Sequence, residues 1–209
     1  MSHCPLCSER PAKRFCPAKQ TNICSVCCGT KREIEIDCPG TCPHLLSGRT
    51  YESERKSPDP ALISKARSFN QSFLSQYGPV LDAVVGEVAQ ERLSSPWLVD
   101  IDVADVYRAL SATMKTLSSG IYYETLPDGP ARHSLFRRLK ATLDQLMAPS
   151  EPHQRVLRVS EILEILDFLQ LSLAANTSGR PKSRQYLDWI TAMSGVDSPP
   201  AESSRLILP

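Results

Sequence analysis

The residues of this chain best suited to chemistry are its eight cysteines, all of which lie within the first 42 positions. Six of them form the three close pairs Cys4–Cys7, Cys24–Cys27 and Cys38–Cys42. A C-x2-C pair can place both thiolates ~2.3 Å from one Zn²⁺ by turning tightly around the ion. Two such pairs, a wider third pair and the nearby His44 therefore predict bound zinc.

Two other uses of cysteine fit the sequence less well. An even number of cysteines would suit disulfides in an exported protein, but the first residues lack the apolar stretch of a signal peptide. A reducing cytosol keeps thiols free. Iron-sulfur clusters use the same soft ligands, yet no cysteine run has ferredoxin spacing. Zinc is therefore the metal that we expect the cysteines to bind. The free thiols and the missing signal peptide make the cytoplasm the expected location.

The order of the ligands resembles that of a B-box-type zinc finger. The match runs from Cys4-x2-Cys7 through Phe15-Cys16-x2-Lys19-x4-Cys24-x2-Cys27 to Cys38, Cys42 and His44, and it covers about a fifth of the chain. In that family the first and third ligand pairs share one zinc ion, and the second and fourth pairs share another. The resemblance thus implies two zinc ions. The implied first site contains Cys4, Cys7, Cys24 and Cys27, and the implied second site contains Cys16, Cys38 and Cys42.

The implied second site lacks one ligand. Lys19 stands where the family has its fourth ligand, usually a cysteine or an aspartate, and a protonated lysine cannot bind zinc. We expect Cys28 to complete the site, because a spare thiol beside a ligand would otherwise be open to oxidation. His44 is the alternative.

The sulfur ligands are numerous enough to close both coordination spheres. A catalytic zinc ion keeps one position open for water, whereas closed thiolate sites stabilise the fold. The chain also lacks a phosphate-binding glycine loop, a G-x-S-x-G elbow and an H-E-x-x-H helix. We therefore expect a non-enzymatic protein. The B-box resemblance implies an adaptor or scaffold that contacts a protein partner or a second copy of itself.

Nucleic-acid binding is the main alternative function, and an enzyme with an unrecognised site among the helices is the second. Nucleic acid would be contacted by the basic residues of the first fifty positions: Arg10, Lys13, Arg14, Lys19, Lys31 and Arg32. The whole chain has 24 Lys and Arg against 23 Asp and Glu, so its net charge does not favour binding to a polyanion. Eight thiolates also carry more negative charge than two zinc ions neutralise, which offsets the basic residues of the finger. Phe15 is the one aromatic residue among these basic positions, so the stacking surface typical of such proteins is small.

Beyond residue 60 the apolar residues recur at helical spacing. The spacing predicts one helix from Leu62 that ends near Gly78-Pro79, and further helices up to about Ser194. The segment from Pro152 to Ala175 is apolar nearly all round, which is typical of the central helix of a bundle. No apolar run approaches the ~18 residues of a membrane span, so we expect no membrane association.

The fold class that follows is a small zinc-bound finger followed by an all-α helical bundle. Residues 1–50 are predicted to form the double-zinc cross-brace finger, 51–60 a linker, 61–195 the helical domain and 196–209 a disordered tail. Within the finger, polar and apolar residues alternate over positions 31–37. This alternation predicts a short strand with Ile34 and Ile36 on one face.

Overall fold

The computed structural model describes residues 2–55, 57, 59–148 and 156–195. Its described part consists of the two strands β1 (Arg14–Cys16) and β2 (Thr21–Ile23) and the helices α1 (Ser25–Lys31), α2 (Pro43–Arg55), α3 (Pro60–Ala66), α4 (Gln71–Ser94), α5 (Asp100–Ser118), α6 (Pro130–Met147), α7 (Val159–Asn176) and α8 (Gln185–Met193). The fold class is the predicted one, a small finger followed by a helical bundle. The predicted tail, 196–209, and the predicted helix start near Pro152 lie outside the described residues.

The finger is built around a short antiparallel hairpin. Strands β1 and β2 pair so that Phe15 lies opposite Asn22, and α1 follows directly. Ile23 and Ile36 are the apolar centre of the finger, and buried cysteines surround them. So small an apolar core buries too little surface to stabilise a fold without help, which agrees with the need for a metal.

The strand predicted over residues 31–37 is wrong. Helix α1 continues through Lys31, and the chain then turns so sharply that the N–H of Ile36 donates to the carbonyl of Lys31 at 3.0 Å. Glu33 has a positive φ of 54° in this turn, a conformation that regular strands exclude. Ile36 is consequently buried, whereas Ile34 is exposed.

Helix α2 leads from the finger into the rest of the molecule. It begins immediately after Cys42, whose carbonyl accepts hydrogen bonds from the N–H groups of Leu45 and Leu46. The predicted boundary at residue 50 therefore falls inside this helix, and Arg55 ends it. Helix α3 starts at the far end of the predicted linker, where the Asp59 carboxylate accepts from the N–H of Ala61 at 2.9 Å.

The predicted helix end at Gly78-Pro79 is also wrong, because α4 runs through both residues. Proline inside a helix removes one hydrogen bond and costs about 3 kcal/mol. On either side of it, Tyr77, Leu81 and Val84 are buried against the neighbouring helices. Burial of three such side chains contributes roughly 1.5–3 kcal/mol each, so tertiary packing outweighs the local signal to stop.

Helix α7 lies at the centre of the bundle, as its apolar composition predicts. It contacts α3, α4, α5 and α8, and apolar side chains on several of its faces are buried. Among the described residues, no helix is both long enough and apolar enough to cross a bilayer.

A buried carboxylate fixes the segment between α7 and α8. Asp100, at the start of α5, accepts hydrogen bonds from the hydroxyl groups of Thr177 and Ser183, each at 2.7 Å. It also accepts from the N–H groups of Tyr186 and Leu187 at 3.2 Å. The carboxylate thus caps α8 from a neighbouring helix and holds the segment that meets the finger.

Candidate metal centre

The first pair of thiols lies in a tight turn at the start of the finger. The backbone N–H groups of Cys7 and Ser8 donate to the carbonyl of Cys4 at 3.3 and 2.7 Å, which folds the chain back on itself. Ser8 has a positive φ of 56°, the left-handed conformation that ends such a turn. The sulfur atoms of Cys4 and Cys7 are thereby held within 4.8 Å of each other.

The second pair lies where α1 begins. Cys24 is the N-cap residue of this helix, and its sulfur accepts a hydrogen bond from the N–H of Cys27 at 3.3 Å. Backbone N–H groups at the start of a helix favour negative charge on a nearby group. The local geometry therefore suits a thiolate.

The two pairs meet to form one four-sulfur cluster. The sulfur atoms of Cys4, Cys7, Cys24 and Cys27 all lie within 4.8 Å of one another, and the sulfurs of Cys7 and Cys24 are 3.9 Å apart. Four thiolates at the corners of a tetrahedron ~2.3 Å from a zinc ion are ~3.8 Å from each other, whereas disulfide sulfurs are ~2.05 Å apart. All eight cysteines carry free thiols. The cluster therefore fits one zinc ion.

The composition of this cluster indicates a structural ion. Four cysteine ligands complete a tetrahedral sphere and leave no vertex for a reacting water. Three of the four residues are buried, and Cys7 is half-buried. These are also the four residues that the B-box resemblance assigns to the first site.

The thiols of the cluster differ in their affinity for protons. Burial opposes ionisation of Cys4, but the backbone amides of Cys24 and Leu6 outweigh it and lower the pKa of Cys4 to about 6. Burial, together with the neighbouring thiols, raises the pKa of Cys27 to about 12. Four thiols this close cannot all hold a negative charge unless a cation lies among them, and a zinc ion fits that requirement.

The cysteines of the implied second site lie near one another in a looser arrangement. Cys16 and Cys42 are buried, and Cys38 is half-buried. Burial raises the pKa of the Cys38 thiol, and the charges of Cys42 and Cys16 raise it further. In the part of the chain that the structure describes, these sulfurs do not form a second group with all ligand atoms within 4.8 Å.

Cys28 and His44, the two candidates for the missing ligand, occupy different places, and so does Lys19, which stands at the ligand position of the family. Cys28 is half-buried and packs against the apolar centre of the finger. His44, at the start of α2, lines a surface cavity together with Arg14 and Arg32. Lys19 is exposed to solvent.

Glu33 is the residue beside the metal centre that sequence reasoning missed. Its side chain is only 1% exposed, and it accepts hydrogen bonds from Arg49 at 2.8 Å and from Ser178 at 3.3 Å. Arg180 lies 3.8 Å away on the same carboxylate. These partners come from α2 and from the segment between α7 and α8, and no local pattern in the sequence could have indicated them.

Further contacts fix the finger to the same segment. The N–H of Lys182 donates to the carbonyl of Glu33 at 2.8 Å, and its ammonium group donates to the carbonyl of Glu35 at 2.8 Å. Arg184 donates to both carboxylate oxygens of Asp37; this ion pair lowers the pKa of Asp37. Finger and bundle are therefore joined by charged and backbone contacts around residues 178–184.

Three aspartates near the start of α5, Asp100, Asp102 and Asp105, have structural partners. Asp100 caps α8, as described above. Asp102 accepts from the backbone N–H of Val99 at 3.0 Å and from Arg132 at 2.7 Å. Arg132 also pairs with Asp105 at 2.6 Å. These carboxylates cap helix ends or pair with Arg132 and Arg108, which agrees with capping and ion pairing rather than with cation binding.

Comparison of this chain with protein-family models, curated proteins and solved structures finds no match. The B-box resemblance therefore depends on the ligand order alone, and what the geometry establishes is a small finger with one tetra-cysteine site that is compatible with zinc.

Proposed function

We propose that this protein is a non-enzymatic adaptor or scaffold, in which zinc holds the finger against a helical bundle and the bundle presents a surface to a protein partner or a second copy of the chain. The observation that carries the proposal is the loop between α5 and α6. Four large apolar side chains of this loop, Ile121, Tyr122, Tyr123 and Leu126, are each at least half exposed.

The backbone of this loop is held in place although its side chains point to solvent. Thr116 donates to the carbonyl of Tyr123 at 3.0 Å, and the N–H of Thr125 donates to the buried hydroxyl of Thr113 at 3.0 Å. Neighbouring apolar side chains exposed on a fixed backbone are typical of protein interaction sites, and tyrosine is enriched at the centres of such sites.

In this proposal the finger binds two zinc ions. The first is held by the tetra-cysteine cluster. The second uses Cys16, Cys38 and Cys42, with Cys28 as the fourth ligand. The packing of Cys28 against the apolar centre of the finger supports this choice over His44, which lies beside arginine side chains. Both ions are structural, and the expected location of the protein is the cytoplasm.

The test is cross-linking of the zinc-loaded full chain with a lysine-reactive reagent, after native capture from its source cell. Lys115 is exposed near the end of α5 and reports on the loop. We expect cross-links from Lys115 to one defined protein or to a second copy, and their loss in a Tyr122→Ser, Tyr123→Ser double variant. Tyr51→Ser is the matched control, because Tyr51 is exposed on α2. A monomer that recovers only chaperones would contradict the proposal.

Nucleic-acid binding is the second candidate, and one observation favours it. Phe15 is 55% exposed at the centre of the hairpin, and Lys13 and Lys19 on either side of it are exposed as well. An aromatic ring between cations can stack on a base while the cations contact phosphates. Filter binding over a salt series tests this: absence of affinity at ~50 mM salt, where counterion release helps most, would remove it.

A further inference from the structure

A surface cavity of about 350 Å³ lies between the hairpin, α1 and α2, away from the tetra-cysteine cluster. The residues relevant to its chemistry are Arg14, Arg32, His44, Gly48 and Glu52. Neither the zinc site nor the proposed interaction loop makes use of it. Its volume is at the small end of the range found for small-molecule sites.

The unusual residue of this cavity is Arg32. The residue is 8% exposed, and its Nε atom is buried without a hydrogen-bond partner. Among the described residues, no hydrogen bond or ion pair to the Arg32 guanidinium is found. A buried cation without a partner is unfavourable, so an anion is the missing component.

Arg184, which is buried, and Arg49, which is half-buried and also has an unpartnered Nε, show what Arg32 lacks. Arg49 pairs with Glu33 and with Asp188 at 2.8 and 2.9 Å. Arg184 pairs with Asp37 and also donates to a backbone carbonyl. Among these three arginines of the described residues, Arg49 and Arg184 are matched by carboxylates, whereas Arg32 is not.

Gly48 makes room for the Arg32 side chain. A Cβ atom at this position would lie 1.4 Å from Nη1 of Arg32 and 2.5 Å from its Cζ. The guanidinium therefore lies directly against the backbone of α2. Glycine inside a helix is less favourable than alanine. Gly48 therefore lowers the stability of α2, but it leaves the space that the Arg32 side chain occupies.

The charges around the cavity favour a dianion. Arg14 also lines it and has no carboxylate partner among the described residues. Glu52 is the one carboxylate of the lining, and it is already paired with Arg180 at 2.9 Å. Two guanidinium groups with unused donors match the oxygens of a phosphate group, which accepts several charge-assisted hydrogen bonds at once.

We propose that this cavity binds the phosphate group of a small phosphorylated molecule, with Arg32 and Arg14 as the contacting cations and Gly48 as the residue that gives Arg32 its place. The cavity is larger than a lone phosphate ion requires, and the remaining space accommodates the group that carries the phosphate.

The test is isothermal titration of the zinc-loaded full chain with inorganic phosphate and with glucose 6-phosphate; acetate and glucose are the negative controls. We expect saturable binding of one phosphate group per chain, and tighter binding of glucose 6-phosphate than of inorganic phosphate. Arg32→Met and Gly48→Ala should each weaken binding at least tenfold. Lys13→Gln, which removes an exposed positive charge of the same finger, should change it less than twofold.

A stability measurement separates a binding role of Arg32 from a structural one. If Arg32 serves the ligand, Arg32→Met should melt at the same or a higher temperature than the wild type without phosphate, because an unpaired buried charge is removed. Gly48→Ala keeps the arginine and displaces only the end of its flexible side chain, so it tests the site in a folded protein. Absence of saturable binding, or equal weakening by Lys13→Gln, would overturn the proposal. The latter result would indicate a diffuse patch for polyanions such as nucleic acid.

Discussion

The side chain of Glu33 joins the finger to the bundle through three partners at once. It is buried in a turn that only a left-handed backbone allows. Its partners are Arg49 from α2, and Ser178 and Arg180 from the segment before α8. The strain of that backbone is compatible with the fold because the buried ion pairs hold the residue there. Glu33 is thus one of the residues that fix the metal centre on the helices, together with the contacts of Lys182 and Arg184.

Replacing Glu33 with alanine should destabilise the whole protein. Removal of one partner from a buried ion pair leaves the other charge uncompensated and costs about 3–5 kcal/mol. We expect a loss of stability at the lower end of that range, because Arg49 retains its ion pair with Asp188. Urea unfolding followed by circular dichroism measures it. Glu35→Ala, which affects an exposed pair with Lys31, is the control and should cost under ~1 kcal/mol. Equal losses in both variants would contradict this role of Glu33.

Cys28 is the proposed fourth ligand of the proposed second zinc site. If Cys28 completes it, Cys28→Ser should lower the zinc content by one ion per chain. His44→Asn should leave the content unchanged. Native mass spectrometry of both variants provides the count. The reverse pattern would assign the ligand to His44, and two retained ions in both variants would exclude both residues.

Helices and turns can be predicted from the sequence where neighbouring residues determine them. The helical period of α5 and α6 and the stop at Gly120, which has a positive φ of 77°, follow from neighbouring residues. The cysteine spacing likewise reveals the metal centre. The continuation of α4 through Pro79 does not follow locally, because the burial of Tyr77 and Leu81 decides it.

Two features of the site could not be predicted from the sequence, because they depend on residues that are not neighbours in the chain. The turn at residues 33–35 depends on charges supplied from positions 178–184, far along the chain. The unpaired Arg32 depends on the absence of a Cβ atom at Gly48. Neither arrangement leaves a periodic pattern or a motif, so only the packed structure reveals them.

Helix α4 allows a test of whether packing outweighs the local cost of Pro79. Pro79→Ala should stabilise the protein, since it restores a helical N–H donor and removes a cost of about 3 kcal/mol; the greater freedom of the unfolded chain takes back about 0.4–1 kcal/mol. We therefore expect a gain of about 2 kcal/mol in thermal or urea unfolding. Pro60→Ala, at the first turn of α3 where proline is favourable, should bring no gain. A loss of stability in Pro79→Ala would contradict the packing argument.

The contact between α5 and α8 predicts an alkaline transition. The hydroxyl groups of Tyr107 and Tyr186 are 3.2 Å apart and buried. Burial raises the pKa of Tyr107, and it raises the pKa of Tyr186 from 10.0 to about 12. Each tyrosine is therefore still protonated in the native state at a pH where the unfolded chain has lost that proton. The contribution of the two tyrosines to the free energy of unfolding is complete below pH 10. It is lost as the pH rises through their pKa values in the folded protein.

The free energy of unfolding, measured between pH 9 and pH 12 for the wild type and for Tyr186→Phe, tests this contact. Between pH 10 and 12, the wild type should lose about 1.4 kcal/mol per pH unit more than the variant, because the variant lacks one of the two titrating groups. Titration of lysine and arginine is common to both proteins and cancels in the comparison. Parallel curves would show that Tyr186 titrates alike in the folded and unfolded chains.

At the scale of the whole molecule, the zinc centre and the bundle form one structure. The finger has a very small apolar core of its own, and its turn at Glu33 is held by residues that Asp100 and α8 keep in place. In the proposed function, metal in the finger therefore supports the helical surface that a partner contacts. The cavity at Arg32 lies in the finger beside α2, where a bound phosphate group would also favour the folded state.

The central claim is that Cys4, Cys7, Cys24 and Cys27 bind one structural zinc ion. Zinc-edge X-ray absorption of the freshly purified protein, combined with the metal count from native mass spectrometry, tests it most directly. The claim predicts sulfur neighbours at ~2.3 Å with no oxygen at any vertex of that site. It also predicts one ion fewer per chain in a Cys24→Ser, Cys27→Ser variant. A protein without zinc, an unchanged count in that variant, or a water ligand on the ion would contradict it.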